Sequence, residues 1–133
     1  MERISTANAP EAIGPYCQAV RVDDFVFTSG QIPLNPRTGE IEGTNITEQT
    51  EQVMKNLSAV LDASGSGFQH AVKTTCYLAD IADFAAFNEV YAKYFINKPA
   101  RSCFAVKDLP KGALLEVEVI AKVAKEHKDY VVD

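Results

Sequence analysis

Two alternating stretches near the carboxyl end decide the fold: Arg101-Ser102-Cys103-Phe104-Ala105-Val106 and Leu114-Leu115-Glu116-Val117-Glu118-Val119. In the second stretch Glu116 and Glu118 share one face of an extended chain, and the other face carries Leu115, Val117 and Val119. This alternation is typical of a half-buried strand. If the two strands form a hairpin, Arg101 lies opposite Glu116. The pair is then either a structural salt bridge, or a fixed cation and carboxylate that hold a small anionic ligand.

The rest of the chain predicts the element order β-β-α-β-α-β-β. Strands are predicted over residues 16–22, 25–29 and 72–79. Asn45 or Thr47 caps the first helix, and Asp80 caps the second. The second helix has an aromatic face that we expect to be mostly core: Phe84, Phe87, Tyr91, Tyr94 and Phe95. The order predicts a single α+β domain over residues 1–133, with one mixed sheet, both helices on one face and a flexible tail at 125–133.

The second face of this sheet has no predicted element to cover it, although its strands also carry apolar side chains. Closed oligomerisation is the simplest way to bury such a face, and it usually produces symmetric assemblies of identical chains. The sequence therefore predicts a homo-oligomer.

Composition limits the classes of function. The 133 residues carry a net charge of −5, so no general attraction to nucleic acid or to an anionic membrane is expected. No apolar run approaches the ~20 residues of a membrane span, and the N-terminus lacks the apolar core of a signal peptide. Cys17, Cys76 and Cys103 form no metal-binding spacing with each other or with His70 and His127. These features predict a cytoplasmic protein with free thiols and no metal site.

Six short segments, in order, carry a resemblance to a known family. They are Ala12-Ile13-Gly14-Pro15-Tyr16, Ser29-Gly30-Gln31-Ile32-Pro33, Val72-Lys73-Thr74-Thr75, Asn88-Glu89-Val90-Tyr91, Pro99-Ala100-Arg101-Ser102-Cys103 and Leu115-Glu116-Val117. Together they resemble the RidA family of reactive-intermediate deaminases. The resemblance implies a chorismate-mutase-like homotrimer with a barrel-like core, which would cover the open sheet face. It also implies ligand clefts between the subunits.

The activity that this resemblance implies is hydrolysis of 2-imino acids, such as 2-iminobutanoate and 2-iminopropanoate, to 2-keto acids and ammonia without a cofactor. Arg101 matches the family arginine that clamps the substrate carboxylate, a task that suits the planar fork of a guanidinium. Glu116 matches the family glutamate that positions water. An imine carbon is already electrophilic, so orienting water and moving protons is sufficient chemistry. Glu118 is interpreted as structural or interfacial.

Further ligand contacts are implied by the same resemblance. Tyr16 covers the pocket, or is a core aromatic at a strand start. Ser29 and Gly30 end a strand where backbone amides can face a ligand, and the Ser29 hydroxyl binds substrate or caps the turn. Asn88 faces the pocket or bonds locally. Cys103 contacts substrate through its backbone, since no histidine in a matching motif supports its thiol as a nucleophile.

One position departs from the family pattern. Many relatives carry an aromatic residue directly before Pro-Ala-Arg, where this chain has Lys98. If this residue borders the cleft, an apolar wall is exchanged for a positive charge, and the preferred size of the substrate changes.

Three other functions remain as alternatives. They are an endoribonuclease acting as a translation inhibitor, a stress-activated holdase chaperone, and a trimer that binds keto acids without catalysis. The acidic charge and the lack of a catalytic histidine pair argue against cleavage of RNA.

Overall fold

A computed structural model describes residues 1–124, and the predicted flexible tail at 125–133 lies outside the described residues. The elements are, in order, β1 (Glu2–Ile4), β2 (Ala19–Val22), β3 (Phe25–Thr28), α1 (Ile46–Ala63), β4 (Ala71–Leu78), α2 (Phe84–Tyr94), β5 (Ala100–Ala105) and β6 (Leu115–Lys122). The predicted α+β class is confirmed. Within residues 1–124 no helix is both long enough and apolar enough to cross a membrane.

All six strands form one mixed sheet in the order β1-β2-β3-β6-β4-β5. Strands β4 and β5 are parallel, and every other neighbouring pair is antiparallel. The parallel pair requires a crossover connection, which α2 provides. Strand β6, the last strand of residues 1–124, lies at the centre of the sheet between β3 and β4.

The core lies between the sheet and its two helices. In β6 the residues Leu115, Val117 and Val119 are buried, as their alternation predicts, and they pack in one cluster with Leu57 and Val60 of α1. Helix α1 begins after Asn45, whose side chain accepts a hydrogen bond from the Glu48 amide at 2.9 Å. The predicted cap Asp80 instead starts a short 3₁₀ turn, Ile81–Asp83, that leads into α2.

The hairpin considered for the last two strands does not form. Strand β4 lies between β5 and β6, so Arg101 aligns with Thr74 and Glu116 aligns with Tyr77. Alternation identifies the two faces of a strand but not its neighbour in the sheet. The helix between β4 and β5 settles the pairing, because a crossover of this kind joins parallel neighbours.

The N-terminal prediction is also corrected in two places. The strand predicted over residues 16–22 begins only at Ala19, because the Gln18 side chain bonds to loop backbone at Thr6, Ala9 and Pro10. The short edge strand β1 was not predicted, since Glu2–Ile4 is too short to show an alternation.

The face of the sheet opposite the helices, here called the open face, is apolar and accessible. Phe25 and Phe27 of β3 are 40% and 41% exposed, and Phe104 of β5 is 45% exposed. Register places all three on the open face, together with Ile120 and the two glutamates of β6. Among residues 1–124 nothing covers these rings, as the sequence predicts.

Candidate active site

Arg101 lies on the helix side of the edge strand β5, where α2 holds its guanidinium. Its Nη1 donates a hydrogen bond to Oδ1 of Asn88 at 2.6 Å. The guanidinium carbon lies 4.7 Å from the centre of the Tyr91 ring and 5.4 Å from that of Phe84. Within residues 1–124 no carboxylate forms an ion pair with this arginine. The guanidinium is therefore fixed in position by neutral groups and keeps donors free for an anion.

The aromatic residues around Arg101 are themselves anchored. The Tyr91 hydroxyl lies 2.8 Å from the Thr74 hydroxyl in a buried hydrogen bond between α2 and β4. Tyr91 also stacks on Phe95, with ring centres 4.5 Å apart. The aromatic face of α2 is thus mainly core, as predicted, but Tyr91 also shapes the arginine site.

A cavity of about 430 Å³ opens beside this arginine. It is lined by Asn88, Tyr91, Ala92, Phe95, Ile96, Lys98, Pro99 and Arg101. The volume falls in the range of small-molecule pockets. Asn88 both accepts the hydrogen bond from the guanidinium and lines the cavity, and its contact with a substrate stays a prediction.

Cys103 shares the helix-side face with Arg101 and lies in register with Cys76 of β4. Burial raises the pKa of the Cys76 thiol to about 12. Burial also raises the pKa of the Cys103 thiol, although the nearby Arg101 charge opposes that shift. Both thiols stay protonated at neutral pH, which is the unreactive form of cysteine.

Glu116 lies on the open face and is in close contact with Gly30. Backbone hydrogen bonds of 2.9 and 3.1 Å between Gln31 and Val117 hold the segment after β3 against β6. A Cβ atom added to Gly30 would overlap the Glu116 carboxylate. A side chain at this position would therefore require the Glu116 side chain to move.

The environment of Glu116 favours its neutral form. Burial of this half-buried side chain, with a smaller contribution from the Glu118 carboxylate, raises the pKa of Glu116. The Glu118 carboxylate itself accepts a hydrogen bond from the Tyr77 hydroxyl, whose pKa is raised to about 12 mainly by that bond. Glu116 has no such donor among the described side chains, so it is available to accept and return protons.

Tyr16 and Ser29 lie on the same side of the site as Glu116. Tyr16 is 56% exposed, in a loop rather than a strand, and lines a small hollow with Gly30 and Glu11. The Ser29 hydroxyl donates a hydrogen bond to the Cys17 carbonyl at 2.6 Å, which joins the two loops. Of the two predicted roles of Ser29, the structure shows the local bond.

The predicted site residues thus form two clusters on opposite faces of the sheet. Arg101, Asn88 and Cys103 make the arginine half on the helix side. Glu116 forms the glutamate half with Gly30, and Tyr16 and Ser29 lie beside it. Strand β4 lies between β5 and β6, so the strands of Arg101 and Glu116 are separated by two strand spacings of about 5 Å each. The salt bridge that the sequence left open for Arg101 and Glu116 does not form within the chain.

Some residues of the arginine half were not identified from the sequence. Tyr91 and Phe84 flank the guanidinium, and Phe95 and Ile96 line the cavity. The spacing of the aromatic residues on α2 predicted their shared face, but nothing in the sequence showed that β5 would bring an arginine against it. Residues 1–124 contain no group of three or more histidine, cysteine, aspartate or glutamate side chains arranged to hold a metal ion.

Comparison with known proteins identifies relatives over nearly the whole chain. The family model described as Endoribonuclease L-PSP matches residues 6–123. A RutC family protein of Sinorhizobium fredii is 50% identical over 121 residues, covering 90% of this chain and 96% of the relative. The human protein named 2-iminobutanoate/2-iminopropanoate deaminase is 48% identical over 119 residues, covering 89% of this chain and 87% of the relative.

The fold is also similar to solved structures. The crystal structure of Escherichia coli TdcF with bound serine superposes with a TM-score of 0.88 at 41% identity, covering 93% of this chain and 100% of that one.

Proposed function

This chain belongs to the Endoribonuclease L-PSP family, the RidA family that its sequence resembles, and from that premise we propose that it hydrolyses 2-imino acids to 2-keto acids and ammonia. The observation that carries the proposal is the arginine half of the site. A guanidinium that neutral groups fix beside a cavity, with no carboxylate paired to it, suits a small carboxylate ligand. The name of the human relative supports the imine as the reacting group.

The complete site forms between two copies of the chain in this proposal. Within one chain Arg101 and Glu116 lie on opposite faces of the sheet, so they cannot reach one small molecule. A second copy that covers the open face places its own edge strand β5 near the Glu116 of the first. Exposed Phe27 and Phe104 supply apolar surface for that contact. Three copies in a closed ring would bury each open face once, which agrees with the expected trimer.

The two halves then divide the chemistry. Arg101 of one copy binds the substrate carboxylate and orients the imine carbon, while Glu116 of the neighbouring copy binds the attacking water. As the water oxygen bonds to that carbon, a proton passes to Glu116, whose raised pKa makes it a better acceptor than an exposed glutamate. In the adduct of a protonated imine, the Glu116 proton then passes to the nitrogen and the carbon–nitrogen bond breaks. The second water proton leaves the new hydroxyl as the carbonyl forms, so that the nitrogen departs as NH₄⁺ and a 2-keto acid remains. Tyr16 covers the bound acid.

The direct test couples the purified protein to a threonine dehydratase and follows release of 2-ketobutyrate. We expect the wild type to accelerate release, and Arg101→Ala to lower kcat/KM by about 100-fold or more, because the carboxylate loses a bidentate charged partner. Arg101→Lys should recover little, since lysine lacks the planar fork.

The matched control is Arg3→Ala, at the sheet edge farthest from β5. Full acceleration by Arg101→Ala would refute the proposed role of the arginine. Binding of 2-ketobutyrate without any acceleration by the wild type would instead favour the non-catalytic alternative.

A further inference from the structure

The cavity beside Arg101 contains a second cation, Lys98. Both side chains line the same space of about 430 Å³, and the other lining residues are Asn88 and uncharged apolar or aromatic residues. Among residues 1–124 no acidic side chain lines it. Two cations in one cavity repel each other, and the walls around them offer no counter-charge. A ligand with a single carboxylate neutralises only one of them.

The backbone holds Lys98 in a conformation that is unusual for lysine. Its φ is +53°, in the left-handed region that favours glycine and asparagine. The Lys98 amide donates to the Phe95 carbonyl at 3.2 Å, and Pro99 follows directly. This conformation costs about 1 kcal/mol for a residue with a Cβ atom, so a lysine here is not the choice that backbone geometry favours.

Neutralising the end of α2 does not explain the lysine either. The last turn of that helix already contains Lys93, which forms an ion pair with Glu51 of α1. Within residues 1–124, by contrast, the structure gives the Lys98 ammonium no hydrogen bond and no ion pair. Its charge is left free at the edge of the cavity.

We propose that Lys98 is a specificity-determining residue that binds a second, distal carboxylate of the substrate, so that the site takes imines of 2-keto dicarboxylic acids. This rests on the proposed function, since Arg101 must hold the carboxylate next to the imine carbon. With the first carboxylate on Arg101, a chain of a few carbons reaches along the apolar wall of Tyr91, Phe95 and Ile96 toward the ammonium. The cavity volume leaves room for that extension.

The reaction is the same hydrolysis and its atoms balance. The protonated imine, with its C=NH₂⁺ group, takes up one water. The water oxygen forms the new carbonyl, the carbon–nitrogen bond breaks, and nitrogen leaves as NH₄⁺ with both water protons. The distal carboxylate takes no part, so Lys98 affects binding of the substrate and not the chemical step.

The test compares two imines of equal length that differ only at the far end. Amino-acid oxidases, with catalase present, convert aspartate to the imine of 2-ketobutanedioate and 2-aminobutanoate to 2-iminobutanoate. Semicarbazide traps the surviving imine, and the loss of semicarbazone measures hydrolysis. The quantity compared is kcat/KM for the dicarboxylic imine divided by kcat/KM for the monocarboxylic imine. For Lys98→Gln we expect this ratio to fall about three- to tenfold, the size of effect expected for one partly exposed charge pair. The fall should come from a higher KM for the dicarboxylic imine.

Two variants and one titration complete the design. Lys98→Arg should keep most of the wild-type ratio, and Lys55→Gln, which removes an exposed lysine of α1, should keep all of it. Calorimetric titration with 2-ketobutanedioate and 2-ketobutanoate gives the same ratio for binding alone. An equal ratio in wild type and Lys98→Gln overturns the proposal. If the wild type hydrolyses neither imine, the proposed function fails, and the titration alone decides whether Lys98 binds the second carboxylate.

Discussion

The two halves of the site differ in how much of their environment one chain supplies. Arg101 is surrounded by Asn88, Tyr91 and Phe84, all from α2, and lies beside a formed cavity. Glu116 lies in close contact with Gly30, but it faces the open, apolar side of the sheet. In the proposed function one chain supplies the whole surroundings of the arginine half, whereas the glutamate half needs a partner chain to complete it.

The halves also carry opposite charges, and neither charge is balanced by a partner among the described residues. Arg101 is a cation without a carboxylate partner among the described residues. Glu116 is a carboxylate whose charged form is disfavoured by burial and by Glu118. Opposite charges that are each unbalanced in one chain are stabilised when a second chain brings them together around a ligand. This is the physical reason to place the reaction at an interface rather than within the monomer.

Mixing two inactive variants gives the largest effect expected from this comparison. Arg101→Ala lacks one half of the site and Glu116→Gln lacks the other, so each alone should retain about 1% of the activity or less. If each site uses Arg101 of one copy and Glu116 of its neighbour, co-expression in equal amounts should restore about a quarter of wild-type activity, the statistical share of intact sites in a closed ring.

Differently tagged copies allow the mixed assemblies to be purified before the imine assay; in mixed trimers the expected share of intact sites rises to about a third. The control is Arg101→Ala co-expressed with a second tagged copy of itself, which should stay inactive. Mixed assemblies that are no more active than the parents would show that both halves act within one chain, contrary to the proposal.

The elements were more predictable from the sequence than their arrangement. Alternation in β6 identified its buried face correctly, and Asn45 was one of two predicted caps for α1. The neighbour of each strand was not encoded locally, because the position of β6 between β3 and β4 depends on contacts distant in the sequence. For the same reason the residue types of Arg101 and Glu116 suggested their chemistry, while their separation onto two faces followed only from the register.

A charge on the open face should weaken assembly and activity together. Phe27 is 41% exposed in the single chain, and burying the rest of its ring against a second copy is worth about 1 kcal/mol at each contact. Phe27→Glu removes this apolar burial and places a charge in the contact. We therefore expect the association constant between copies to fall by about tenfold or more. Sedimentation velocity over a concentration series measures the change.

Ile81→Glu is the matched control, because Ile81 is 57% exposed but lies in the turn before α2, away from the open face. It should leave the sedimentation profile as in the wild type. Unchanged assembly in Phe27→Glu would mean that the open face is not the contact surface, and the glutamate half would then need another partner.

The smallest expected effect separates the two halves by pH, because the glutamate half contains the carboxylate that accepts a proton in the proposed reaction. The Glu118 charge is one of the causes that raise the pKa of Glu116, so Glu118→Gln should lower that pKa. The carboxylate of Glu116 then persists to lower pH, and the acid limb of kcat/KM for imine hydrolysis should move to lower pH. Glu2→Gln, a change on β1 at the sheet edge farthest from β5, should leave the limb in place. A limb that moves to higher pH in Glu118→Gln, or does not move, would contradict the role of Glu116 as the proton acceptor.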